Sequence, residues 1–147
     1  MKPTAPMPDA EPRADARTVL LIAVGGALGT VARYELGLAV PVRPGTFPIT
    51  TLLINVVGAL LLGALLGTLG RTAPNDRIMR PLLGVGFLGG FTTFSTFAVE
   101  TVQLVRRQHV AVAAAYVIAS IAFGLAAARA GERLVRATPR LIREDET

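Results

Sequence analysis

The side chains with chemistry to offer are polar groups set inside strongly apolar sequence: Arg33, Asn55, Thr92, Thr93, Ser95, Thr96, Glu100, Tyr116 and Ser120. In hydrocarbon each is costly unless it faces protein or a water-filled space. A lone serine or threonine ordinarily returns its hydroxyl to a carbonyl one turn back, but here the hydroxyls crowd between residues 92 and 96. Asn55 has a carboxamide that such back-bonding cannot satisfy, so it needs either a partner on another helix or a ligand. Arg33 suits a snorkelling anchor or a site residue, and Glu35 reads as interfacial. Hydroxyl and amide donors suit a small anion, whereas carbonyls freed by a broken helix suit a hard cation.

The run Gly86-Phe87-Leu88-Gly89-Gly90-Phe91-Thr92-Thr93-Phe94-Ser95-Thr96-Phe97 carries the most information. Paired glycines followed by paired β-branched threonines are poor helix formers, so a helix breaks here and exposes backbone carbonyls. Phe94 and Phe97, three apart, project from one face. That stripe is ordinarily core packing, although ring edges carry partial positive charge and can face an anion.

These residues need membrane helices to position them. The chain has 147 residues, 52% of them hydrophobic, and its mean hydropathy is +0.54. Four apolar stretches, at about 19–40, 48–69, 81–105 and 109–128, each meet the roughly 20 residues that cross a bilayer. Pro41, Pro44 and Gly45 end the first, Pro48 and Pro81 suit the first turns of the second and third, and short loops make neighbours antiparallel. The expectation is therefore an all-α integral membrane domain over residues 18–130, with a disordered tail at 1–17 that is not a signal peptide and a cytoplasmic tail at 131–147. Gly25-x-x-x-Gly29, Gly63-x-x-x-Gly67, Gly86-x-x-x-Gly90, Ala115-x-x-x-Ala119 and Ser120-x-x-x-Gly124 allow close helix approach. Arginine is concentrated on the side of the termini and the second loop, which places both termini in the cytoplasm of a multi-pass protein of the cell membrane.

Composition also excludes functions. There is no cysteine and only His109, so thiolate, zinc and haem chemistry are not expected of this chain, and no Gly-x-Ser-x-Gly elbow points to an enzyme. The arginines lie at helix ends and in the C-terminal segment, not on a separate soluble domain, so nucleic acid is not the expected partner.

Three motifs resemble the Fluc (CrcB-type) fluoride channel family: Gly25-Gly26-Ala27-Leu28-Gly29-Thr30-Val31-Ala32-Arg33-Tyr34, Thr50-Thr51-Leu52-Leu53-Ile54-Asn55-Val56-Val57-Gly58, and Gly89-Gly90-Phe91-Thr92-Thr93-Phe94-Ser95-Thr96-Phe97 followed by Glu100. The resemblance implies a passive fluoride channel that protects the cell, built as an antiparallel, dual-topology dimer of four-helix subunits with two pores. It implies that Phe94 and Phe97 present ring edges to fluoride, that Asn55 donates its amide, and that Ser95, Thr96, Tyr116 and Ser120 supply hydroxyls along the pore. Arg33 and Glu100 would stand nearer the pore entrances, and the backbone carbonyls of Gly89 and Thr92 would hold a structural sodium ion on the dimer axis.

The arginine bias departs from the balanced charge of a dual-topology homodimer and suits one subunit of a paired heterodimer, while the intact motifs favour the homodimer. A small multidrug-type proton-coupled exporter shares the four-helix dimer, but it needs a carboxylate deep in helix 1, and Glu35 lies too near that helix's end.

Overall fold

The computed structural model describes residues 15–137, so the tail expected over 1–17 lies almost wholly outside the described residues, as does the end of the tail at 131–147. Helix α1 spans Ala16–Ala39, with Asp15 as its N-cap accepting a bond from the Arg17 amide. Helix α2 spans Ile49–Thr72 directly after Pro48. The third span is two half-helices. The first, α3, is π-helical through Arg80–Leu88 and ends in one α turn, Gly89–Phe91. The second, α4, runs over Phe94–Arg106, and α5 completes the bundle over Val110–Ala137.

Four spans are long and apolar enough to cross a membrane, and the described residues contain no strand. Their burial pattern is that of a lipid-solvated bundle. The buried cluster is small, comprising Leu52, Leu104, Ala113 and Tyr116, while Leu28, Val31, Ile118, Ile121 and Phe123 face outward, each more than half exposed. Apolar side chains on the outside cost nothing when the surroundings are acyl chains, so the chain is a multi-pass membrane protein.

Helix α5 continues well past residue 128, where the fourth apolar stretch ends. Hydropathy falls at Arg129, but arginine and glutamate are good helix formers, and Glu132 pairs with Arg136 one turn on. This last stretch is not idle. A Cβ at Gly131 would lie 2.0 Å from the Leu60 carbonyl oxygen of α2, and the Arg71 guanidinium bonds the Val135 carbonyl.

Small residues set the packing, because lipid supplies no hydrophobic drive for helices to meet. Helix α1 lies on α3, and α2 lies on α5. In the first pair a Cβ at Gly25 would sit 2.1 Å from the Leu82 oxygen, one at Gly29 2.0 Å from the Phe87 oxygen, and one at Gly90 2.4 Å from the Gly26 oxygen. In the second, one at Gly63 would sit 2.0 Å from the Ala128 oxygen. Three of the expected motifs thus lie at close contacts. Gly124 does not: nothing approaches within 4 Å of its Cβ position.

Gly29→Ala must therefore push α1 off α3 at a backbone oxygen that cannot rotate away, whereas Gly124→Ala adds a methyl to open space. The first should destabilise by at least about 1–3 kcal/mol and the second should be near neutral. Thermal unfolding of both variants in detergent checks this; equal midpoints would show that the α1–α3 contact does not limit stability.

A candidate ion-conduction site at the broken third span

The site is built around Thr92 and Thr93, whose backbone is extended at φ −79°, ψ 160° and φ −147°, ψ 121°. Thr93 is the N-cap of α4, its hydroxyl accepting from the Thr96 amide at 3.1 Å. The break is thus written into the sequence as a stop and a restart. Thr92 closes the end of α3 by turning both its amide (3.0 Å) and its hydroxyl (2.8 Å) to the Leu88 carbonyl.

A break at membrane depth leaves backbone groups without water, and neighbouring helices must satisfy them. Asn55 on α2 does so at two points: its Oδ1 accepts from the Thr93 amide at 2.8 Å, and its Nδ2 donates to the Thr93 carbonyl at 3.0 Å. Of the two partners open to Asn55 from its chemistry, the structure supplies the interhelical one, and one Nδ2 hydrogen is left over. From α1, Arg33 Nε donates to the Gly90 carbonyl at 3.1 Å. Arg33 is therefore turned into the bundle and pinned to the break. Gly58 lets α2 come close enough, since a Cβ there would meet the Thr92 methyl at 2.2 Å.

The Gly89 and Thr92 carbonyls gain no such partner among the described residues. In an unbroken helix Gly89 would accept from the Thr93 amide and Thr92 from the Thr96 amide, but these amides bond Asn55 and the Thr93 hydroxyl instead. Gly89 also has open space at its Cβ position. Two freed oxygens beside an open surface fit a hard cation.

On the other side of the break Glu100 is held by neutral donors. Thr51 donates its hydroxyl to Oε1 at 2.9 Å, and Tyr116 donates to Oε2 at 2.8 Å. Tyr116 is fully buried, packed between the Phe47 ring at 5.5 Å and the Phe97 ring at 5.1 Å. Phe94 and Phe97 lie 5.8 Å apart with their planes tilted by 43°. Phe97 belongs to the packed interior, whereas Phe94 is 79% exposed on this chain.

Three grooves run along these groups. The first, about 450 Å³, brings together Asn55, Gly89, Thr92, Phe94, Phe97 and Ser120. Ser120 Oγ is buried there with no hydrogen-bond partner among the described residues. The second, about 330 Å³, joins Arg33, Thr51, Thr96 and Glu100. The third, about 150 Å³, opens among Arg43, Gln103 and Arg107 at the end of the bundle where the α1–α2 and α4–α5 loops meet. Thr93 borders both the first and the second, and Glu100 both the second and the third. Shared lining residues thereby link the three grooves from the break to the loops.

Ser95 stands apart, lining none of these grooves and reaching only the Thr93 hydroxyl at 3.3 Å. Tyr116 also lines none of them and acts through Glu100. Sequence reasoning singled out neither Thr51, Arg43, Gln103 nor Arg107. Thr51 was within reach, since it lies four residues before Asn55 and hence on the same face of α2. The other three lie at loop ends whose meeting is tertiary.

A bundle of four spans with one span broken, its freed carbonyls beside clustered donors and linked grooves leading outward, is the architecture of a membrane protein with a candidate site for small ions. The chain matches the family model described as CrcB-like protein, Camphor Resistance (CrcB), over residues 20–132, and it belongs to that family. It is 51% identical over 110 residues to a Streptomyces avermitilis protein named fluoride-specific ion channel FluC 3, a match covering 75% of this chain and 54% of that protein. It is 50% identical over 117 residues to the Rhodococcus jostii fluoride-specific ion channel FluC 2, covering 80% and 97%. A Mycolicibacterium paratuberculosis fluoride-specific ion channel FluC 1 is 42% identical over 122 residues, covering 83% and 92%. The chain thus spans about half the length of the Streptomyces relative and nearly all of the other two.

Asn55→Leu keeps the volume near that of the native side chain but leaves the Thr93 amide and carbonyl unpaired. At about 1–3 kcal/mol for each stranded group, the loss should be about 2–6 kcal/mol. Thermal unfolding in detergent, with amide hydrogen exchange at Thr93, provides the check; an unchanged midpoint would mean that the break is held by other contacts.

Proposed function

We propose that this chain is a fluoride-specific passive channel of the cytoplasmic membrane that lets accumulated fluoride leave the cell and so limits its toxicity. The observation that carries this reading is the first groove, where a spare Asn55 amide hydrogen, the unpartnered Ser120 hydroxyl and the Phe94 and Phe97 rings share one surface. The names of the relatives agree with it. Fluoride is small and strongly hydrated, so a pore must replace its water with closely spaced weak donors. A guanidinium in the narrowest stretch would hold the anion too long, and Arg33 is tied to the Gly90 carbonyl instead. Passage needs no covalent step and no energy-coupling domain.

The working unit in this reading is an antiparallel dimer of two copies. Phe94 projects from a single chain with 79% of its surface uncovered, as a residue finishing its site against a partner would. Sodium fits the same assembly. The Gly89 and Thr92 carbonyls are hard oxygen donors freed from helix bonding, but two oxygens leave such a cation under-coordinated, and a second copy would double them. When bound, sodium would supply positive charge that eases the passage of anions through a dry bundle.

Fluoride and chloride efflux from liposomes containing only this purified chain tests the reading. Fluoride-selective flux is expected, and Phe94→Ile should reduce it at least about tenfold, equivalent to about 1.4 kcal/mol at the site. Since Phe94 is exposed on the single chain, its loss should not unfold that chain. Ser120→Ala should lower flux while leaving thermal stability equal or slightly higher, because it removes a buried hydroxyl with no partner. Absence of flux from well-folded protein would exclude the homodimer, and recovery with an oppositely oriented partner subunit would establish the heterodimer that the arginine bias suits.

A further inference from the structure

At the end of the bundle opposite the grooved loops, α1 and α3 begin side by side. Between their first turns lies a groove of about 480 Å³ lined by Arg17, Arg77, Arg80, Ile22, Pro81 and Val85, with Asp15 at its edge. Its two nearby carboxylates already have other work. Asp15 caps α1 through the Arg17 amide. Asp76 accepts from the Met79 and Ile78 amides ahead of α3, and those bonds, with the nearby Arg80 charge, hold its carboxyl below the usual carboxylate range. The guanidiniums of Arg17, Arg77 and Arg80 make no ion pair among the described residues. Two helix N-termini add their partial positive charge to the same place. Below the arginines the wall is apolar and continues into the spans, with Pro81 buried and Val85 61% exposed.

We propose that this groove binds an anionic phospholipid, its phosphate among Arg17, Arg77 and Arg80 and an acyl chain along Ile22 and Val85. Charge complementarity selects the ligand: three arginines face two carboxylates already used as backbone caps, so a headgroup with net negative charge is favoured over a zwitterionic one. Position selects a lipid over a free phosphate. The arginines stand at the start of two membrane spans, and the apolar wall beneath them gives a soluble anion nothing to touch. The groove is at the opposite end of the chain from the third groove and shares no lining residue with it.

Native mass spectrometry of the intact chain in detergent, titrated with phosphatidylglycerol, with phosphatidylcholine of the same acyl chains, and with glycerol 3-phosphate, tests the proposal. Phosphatidylglycerol should bind at least about tenfold more tightly than phosphatidylcholine, and glycerol 3-phosphate should not compete. Each guanidinium near a membrane surface contributes about fivefold in affinity for anionic lipid, so Arg77→Gln with Arg80→Gln should weaken phosphatidylglycerol binding about 30-fold. Arg129→Gln with Arg133→Gln removes as much charge from the same end, outside the groove, and should leave binding within about twofold. If the first double variant does not fold, Arg17→Gln, in the exposed first turn of α1, should still show the fivefold loss. Equal affinity for the two lipids, an equal loss in the control variant, or competition by glycerol 3-phosphate would each overturn the proposal, the last by showing a site for free phosphate.

Discussion

A helix can be broken inside a bilayer only if something other than water takes up the backbone groups that the break exposes. Here that demand is met from three directions: Asn55 holds both backbone polar groups of Thr93, Arg33 holds the Gly90 carbonyl, and the Thr93 hydroxyl caps the helix that restarts. The rest of the architecture follows from it. Gly25 and Gly29 bring α1 against α3 so that Arg33 reaches the break, and Gly58 lets α2 approach so that Asn55 does. The Gly89 and Thr92 carbonyls lose their helix donors at the break, and these are the oxygens that the proposed cation would use.

The same economy of charge governs the polar line. Glu100 is the one carboxylate placed deep in the spans among the described residues, and hydroxyls, not cations, bond both of its oxygens. Arg33 spends a guanidinium nitrogen on a carbonyl. Among the described residues neither side chain makes an ion pair, and hydrogen bonds fix the position of each. Full positive charge without such a tether stands at the outer ends, at Arg43 and Arg107 on the loop side and at Arg17, Arg77 and Arg80 on the other. An anion on the proposed path would meet dipoles and the tethered Arg33 guanidinium inside, and untethered cations only at the ends, an order that favours entry without trapping.

Much of this was legible in the order of residues. Four spans follow from hydropathy and length, because the bilayer imposes one scale on any crossing helix. The break follows from Gly89-Gly90 and Thr92-Thr93, whose backbone preferences are local. Less legible was the reach of α5: hydropathy ends at Arg129, but helix propensity and the seating of Gly131 against α2 carry the helix to Ala137. The small-residue pattern at Ser120 and Gly124 resembles the packing motifs on the other helices, yet Gly124 faces open space, since spacing alone does not say which face a neighbour will occupy.

The sequence by itself determined that the chain crosses a membrane four times, that the third crossing breaks at its threonines, and that few side chains could do chemistry, because these depend on local propensity and on the cost of polar groups in lipid. Tertiary structure decided what those side chains are joined to. Asn55 could have met a ligand or another helix, and it meets Thr93; Arg33 could have snorkelled, and it turns inward to Gly90; Thr51 and Tyr116, 65 positions apart, converge on Glu100. The reason is that a hydrogen bond between helices requires the relative rotation and depth of both, and these emerge only when the glycine contacts have set how the helices lie together.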